Sequence, residues 1–119
     1  QLVSCLYQNP KNLALNRPAR QSSVYDNLGA DIVVNGDCSG YDSRNCNCTQ
    51  QDPQGWWEVD LGELANVHQV KIWNRCDEPL DPSLERNLYA KRLFPCWVMV
   101  SQEPFGDDVG GAALLDAIN

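Results

Sequence analysis

The sequence predicts an all-β domain of sandwich or barrel type, on three observations. Residues 57–61 alternate apolar Trp57, Val59 and Leu61 with acidic Glu58 and Asp60, and residues 70–73 set Val70 and Ile72 against Lys71 and Trp73. Clusters of Gly, Pro, Asn and Asp separate these runs. No stretch is long and periodic enough to be read as a helix, and there is no internal repeat. Period-two alternation rich in β-branched and aromatic residues, cut by turn residues, is the pattern of short half-buried strands.

Taken in order, residues 1–11 hold Cys5 and Pro10 and read as an irregular arm. Residues 12–25 follow, with Pro18 inside them. Proline has no N–H for a ladder, so this segment is expected as an edge strand or an extended wrap around a sheet. Ala30 to Val34 is a short apolar run, helical or extended. It ends in Asn35-Gly36-Asp37, a turn signal with two oxygen-bearing side chains. Residues 38–55 are polar and carry Cys38, Cys46 and Cys48, which fits a long loop that is tied down. Gly55-Trp56-Trp57-Glu58-Val59-Asp60-Leu61-Gly62 is the first central strand, with Trp57 expected in the core and Gly62 opening the next turn. The second runs through Val70 and Ile72 into Arg75-Cys76-Asp77. Side chains two apart on a strand share a side, so Arg75 and Asp77 are delivered together to one end of a sheet. Trp73, opposite the Val70/Ile72 face, suits either a stacking platform or packing under a loop. Residues 78–91 form a second long loop between Cys76 and Cys96. A bridge there, one of many pairings open to this set, would contribute about 3 kcal/mol by loop closure. Residues 97–101 are a further strand, and residues 106–119 are turns followed by an undecided apolar segment.

At 119 residues the chain has room for one core. Its formal charge of −7, spread along the chain, argues against nucleic acid and anionic membranes, which need basic patches. No apolar run reaches a membrane span and no signal-peptide pattern is present. A start at Gln1 rather than Met reads as a product of processing or excision from something longer. Six cysteines in so small a chain (Cys5, Cys38, Cys46, Cys48, Cys76 and Cys96) favour disulfides and an oxidising compartment. Asn47-Cys48-Thr49 is a glycosylation sequon, which points the same way: secreted or at the cell surface. Zinc held by Cys38, Cys46, Cys48 and His68 is disfavoured by the Cys-x-Cys spacing. No nucleophile elbow or assignable Cys–His pair supports an enzyme.

Asn12-Leu13-Ala14, Arg17-Pro18-Ala19-Arg20-Gln21-Ser22-Ser23-Val24-Tyr25, Val34-Asn35-Gly36-Asp37, residues 55–62, residues 70–77, Arg92-Leu93 and residues 98–101 form an ordered motif series. This series resembles the discoidin (coagulation factor 5/8 type C) superfamily, nearest to the F-type lectins or fucolectins. The resemblance implies an antiparallel jelly-roll β-sandwich, galactose-binding-domain-like, over residues 12–119. The chain ends before the family's last strand, so the sandwich would be C-terminally incomplete. It implies a carbohydrate site at one loop end, with Arg75, Asp77 and Arg92 matching the family's basic and acidic positions. The family's histidine is replaced by the Cys48-Thr49-Gln50-Gln51-Asp52 loop, where Gln50 or Gln51 stands nearest; His68 does not match. It also implies a structural Ca²⁺ on the side chains of Asn35 and Asp37 and the carbonyls of Ile32 and Asn47. Calcium takes six to eight oxygens, which such a loop can provide. Cys5 would then stand in as the partner of Cys48.

Two functions follow as expectations. One is an extracellular module that binds a fucose- or galactose-like glycan without chemistry. The other is a structural or adhesive brick of a larger protein, filament or multimer, with a degenerate sugar site and neighbouring protein as partner. A glycan on Asn47 would crowd the sugar site and favour the second.

Overall fold

The structure is a computed structural model, and it describes residues 11–40, 44–77, 79, 81–86 and 88–106. The regular elements, in order, are strand β1 (Ala19–Gln21), a 3₁₀ turn (Ala30–Val34), strand β2 (Trp57–Val59) and a second 3₁₀ turn (Ala90–Leu93). The two strands pair antiparallel, with Ala19 opposite Val59, Arg20 opposite Glu58 and Gln21 opposite Trp57. The described residues are mostly non-helical and carry a two-stranded antiparallel sheet, which is consistent with a galactose-binding-like β fold.

Pro18 sits immediately before β1, where a missing N–H does no harm to the ladder. Its carbonyl still accepts from Asp60 N at 2.9 Å, and Ser22 N donates to Trp56 O at 3.0 Å, so the pairing extends one bond past each end. The cross-strand pair Arg20–Glu58 is also an ion pair, Nε to Oε1 at 2.6 Å. Glu58 Oε2 accepts from Phe105 N at 3.2 Å, which brings residue 105 to this strand. Arg20 stacks over Trp56 at 5.2 Å.

The buried residues among those described are Leu28, Ala30 and Val34. They gather where the first 3₁₀ turn lies under β1. Trp57 joins this cluster by donating Nε1–H to Ala30 O at 2.9 Å, yet 37% of it stays exposed, so it caps the core rather than filling it. The run from Ala30, open between helix and strand in the sequence, is a 3₁₀ turn. It closes on Asn35, and Gly36 then takes φ +86° in the turn. Gly62 likewise takes φ +80°, its N–H bonded to Asp60 Oδ1 at 2.8 Å.

The segments expected as strands over 67–73 and 97–101 form no ladder with any described residue. Val70, Ile72, Trp73, Trp97, Val98 and Val100 are each more than half exposed. Alternation gives a segment an apolar face. It does not provide the neighbouring strand and second layer that the face needs. For the same reason Trp73 does not pack under a loop. The sulfur staples expected on the long loops are also not formed: no disulfide joins two described cysteines. Cys76 Sγ lies 3.7 Å from Ser39 O, and Cys96 is exposed rather than bridged to it. The Cys5 pairing, the N-terminal arm and the segment after Gly106 lie outside the described residues.

Hydrogen bonds fasten the 44–56 loop instead. Gln21 Nε2 donates to the carbonyls of Ser23 (2.6 Å), Cys48 (2.9 Å) and Leu28 (3.2 Å), while its Oε1 accepts from Asn47 Nδ2 at 3.1 Å. Cys48 N donates to Leu28 O at 3.0 Å, and Tyr25 N to Cys48 O at 2.9 Å. Further along, Asp52 Oδ2 accepts from Ser22 Oγ at 2.7 Å and Ser23 Oγ at 2.5 Å. These bonds, led by that from Ser23, hold the Asp52 carboxyl below its usual value.

Candidate functional site

Arg75 and Asp77 lie two apart, as the sequence pattern requires for side chains on one side. They pair through Arg75 Nε to Asp77 Oδ1 and Nη2 to Oδ2, the second at 2.7 Å. This two-point geometry fixes the guanidinium plane and leaves its remaining N–H groups for another acceptor. Both side chains are about one-fifth exposed, 24% and 20%. The bond from Arg75 is the chief cause that lowers the Asp77 carboxyl, with partial burial opposing it. In return the bond to Asp77 raises Arg75 further.

Two contacts position this pair. Cys76 N donates to Gly40 O at 2.9 Å, and Asn74 Nδ2 to Ala90 O at 2.6 Å. The second brings the Arg75 segment against the second 3₁₀ turn. There Arg75 Cζ lies 3.8 Å from the Tyr89 ring centroid, and Arg92 Cζ lies 4.9 Å from the same centroid. The 3₁₀ geometry explains the second contact. Residues three apart eclipse in such a turn, and Arg92 N donates to Tyr89 O at 3.2 Å.

Of the residues singled out from the sequence, Arg75 and Arg92 therefore meet at one ring, and Asp77 joins them through Arg75. Tyr89 was not among them; its signal is an aromatic residue three before Arg92. Gln50 is held elsewhere, its N–H on Ser23 Oγ at 2.9 Å and its Nε2 on Val24 O at 3.3 Å. His68 is exposed, away from this group in the sequence and without a role in it.

Asn35 and Asp37 form a second constellation. Asp37 N donates to Asn35 Oδ1 at 2.8 Å, and Ser39 N to Asp37 Oδ1 at 2.9 Å. Asn45, which the sequence reading passed over, closes the group: its Oδ1 accepts from Asn35 Nδ2 at 2.8 Å and its Nδ2 donates to Asp37 O at 3.3 Å. One carboxylate and two carboxamides in a turn are the hard oxygens that calcium prefers. Ile32 lies within the adjoining 3₁₀ turn. The Asn47 side chain turns away to Gln21, so only its carbonyl remains for such a set. No group of three or more His, Cys, Asp or Glu residues suited to a metal occurs among the described residues.

A family described as the F5/F8 type C, NedA-like, galactose-binding domain matches residues 33–91. A stretch of 73 residues is 32% identical to fucolectin-1 of Anguilla japonica. Together the two matches support a domain of the discoidin/F-type lectin superfamily. The fucolectin match covers 56% of this chain and 41% of that protein, so the chain spans less than half of its relative's length. No solved structure matches it. The family match includes Arg75, Asp77, Tyr89 and the Asn35, Asp37 and Asn45 group, and ends at Lys91, one residue before Arg92. Discoidin and lectin domains are in general binding modules without chemistry. No helix among the described residues is long and apolar enough to cross a membrane.

Proposed function

We propose that this domain is an extracellular carbohydrate-binding module of F-type lectin type that takes a fucose- or galactose-like glycan without catalysis. One observation carries the reading: a carboxylate-locked guanidinium at Arg75 shares an aromatic ring with Arg92. Two guanidiniums held this way offer several N–H donors, and vicinal sugar hydroxyls and a ring oxygen are fitting acceptors. Gln50 is the neutral stand-in for the family's histidine and would have to leave Val24 to take part. The jelly-roll sandwich is the framework proposed for the whole domain, and Ca²⁺ on Asp37, Asn35, Asn45 and the carbonyls of Ile32 and Asn47 is its proposed organiser. Single sites of this kind are weak, so several copies would raise the avidity.

The apolar side chains left exposed over 70–73 and 97–100 favour a second reading, a structural brick packed against neighbouring protein. A glycan array, followed by titration with L-fucose and D-galactose, separates the two. The lectin reading expects binding that falls about thirtyfold in Arg75→Ala, the equivalent of about 2 kcal/mol for a charge-assisted hydrogen-bond set. A blank array for the unaltered protein favours the brick.

A further inference from the structure

We propose that Tyr89 is the positioning residue that makes one donor pair of Arg75 and Arg92. The inference deepens the lectin reading and rests on it for the ligand, though not for the geometry. Neither guanidinium is placed by the sheet. Arg75 is fixed in its own plane by Asp77, but nothing in that pair sets its distance from Arg92. Arg92 is exposed, on a side chain with ample rotamer freedom. The shared element is the Tyr89 ring, with Arg75 at 3.8 Å and Arg92 at 4.9 Å from its centroid. The negative ring face attracts each cation and offsets the repulsion between them.

The backbone around Tyr89 is arranged to hold that ring still. Tyr89 caps the 3₁₀ turn at φ −72° and ψ −36°, and its carbonyl takes the Arg92 N–H. The next carbonyl, Ala90 O, takes Asn74 Nδ2 at 2.6 Å, one residue before Arg75. The two arginines thus approach the ring from two segments, each bonded to the turn that carries it. The face of the ring does this work, not its hydroxyl, so phenylalanine serves equally well and an aliphatic residue does not.

The test uses the whole chain as Tyr89→Phe and Tyr89→Leu. Protons over an aromatic face are shielded, so the Arg92 Nε–H signal in the unaltered protein should lie upfield of exposed-arginine positions, and the Arg75 Nε–H signal, which its bond to Asp77 Oδ1 moves the other way, should lie upfield of its place in Tyr89→Leu. Both should stay in place in Tyr89→Phe and move downfield in Tyr89→Leu. With L-fucose or D-galactose as probe, Tyr89→Phe should bind within about twofold of the unaltered protein and Tyr89→Leu about tenfold more weakly, a typical cation–π loss. An Arg92 Nε–H signal at the exposed-arginine position in the unaltered protein overturns the inference, even where Tyr89→Leu fails to fold. So does a folded Tyr89→Leu that binds as the unaltered protein does. If neither sugar binds the unaltered protein, the lectin reading fails, and the shifts alone then decide for or against the positioning role.

Discussion

The N–H of Cys76 donates to the carbonyl of Gly40 at 2.9 Å, and this bond ties the segment bearing Arg75 and Asp77 to the polar loop after Cys38. The contact requires glycine on two counts. Gly40 takes φ +68°, and a Cβ there would stand 2.9 Å from Asn74 O and 3.1 Å from Cys76 Sγ. Backbone cannot move aside as a flexible side chain can. Gly40→Ala is therefore expected to cost about 1–3 kcal/mol, measured as a lower urea midpoint. An unchanged midpoint would show that the loop re-forms without this bond.

The Asp77 carboxyl is held below the ordinary carboxylate value, chiefly by the hydrogen bond from Arg75. A depressed folded pKa gives a contribution that is fully present above the unfolded value, about 3.9 for aspartate, and is lost as pH falls through the folded value. The Arg75–Asp77 geometry should thus survive through pH 4 and fail only in more acid solution. The carboxyl carbon shift of Asp77, followed by NMR on lowering the pH, should show its inflection below that of an exposed aspartate. An inflection at the ordinary value would mean that the pair is not formed in solution.

Calcium is expected to stabilise the protein through the turn at Asn35, Asp37 and Asn45. At a hundredfold excess over its dissociation constant, a ligand bound only by the folded state adds about 2.7 kcal/mol. The melting temperature should rise on adding Ca²⁺ to chelator-treated protein, and Asp37→Asn should abolish most of that rise by removing the one carboxylate of the three side chains. Equal melting temperatures with and without Ca²⁺ would remove the ion from the account.

The sequence made some of this arrangement legible and hid the rest for physical reasons. The Arg75–Asp77 pair could be read because it depends only on side chains two apart sharing a side. The turn at Asn35-Gly36-Asp37 could be read because its residue types are the ones that bond their own backbone. Tyr89 could not, because its contact with Arg92 exists only if residues 90–93 take a 3₁₀ rather than an extended course. Gln21 could not either. Its carboxamide serves residues 23, 28, 47 and 48, and nothing local in the sequence marks a side chain as a hub for distant backbone. The alternating runs over 67–73 and 97–101 were legible as patterns. A pattern names a face without naming what lies against it.

The Asn47 side-chain nitrogen, the atom to which an N-linked oligosaccharide would be attached, already donates to Gln21 Oε1 at 3.1 Å. N-linkage takes one of the two hydrogens on that nitrogen, so a sugar would leave the bond to Gln21 in place only where the remaining N–H is the one that faces it. Were this sequon modified, attachment would be favoured before residues 21 and 47 meet. The degree of occupancy at this asparagine would record a race between the transferase and chain collapse.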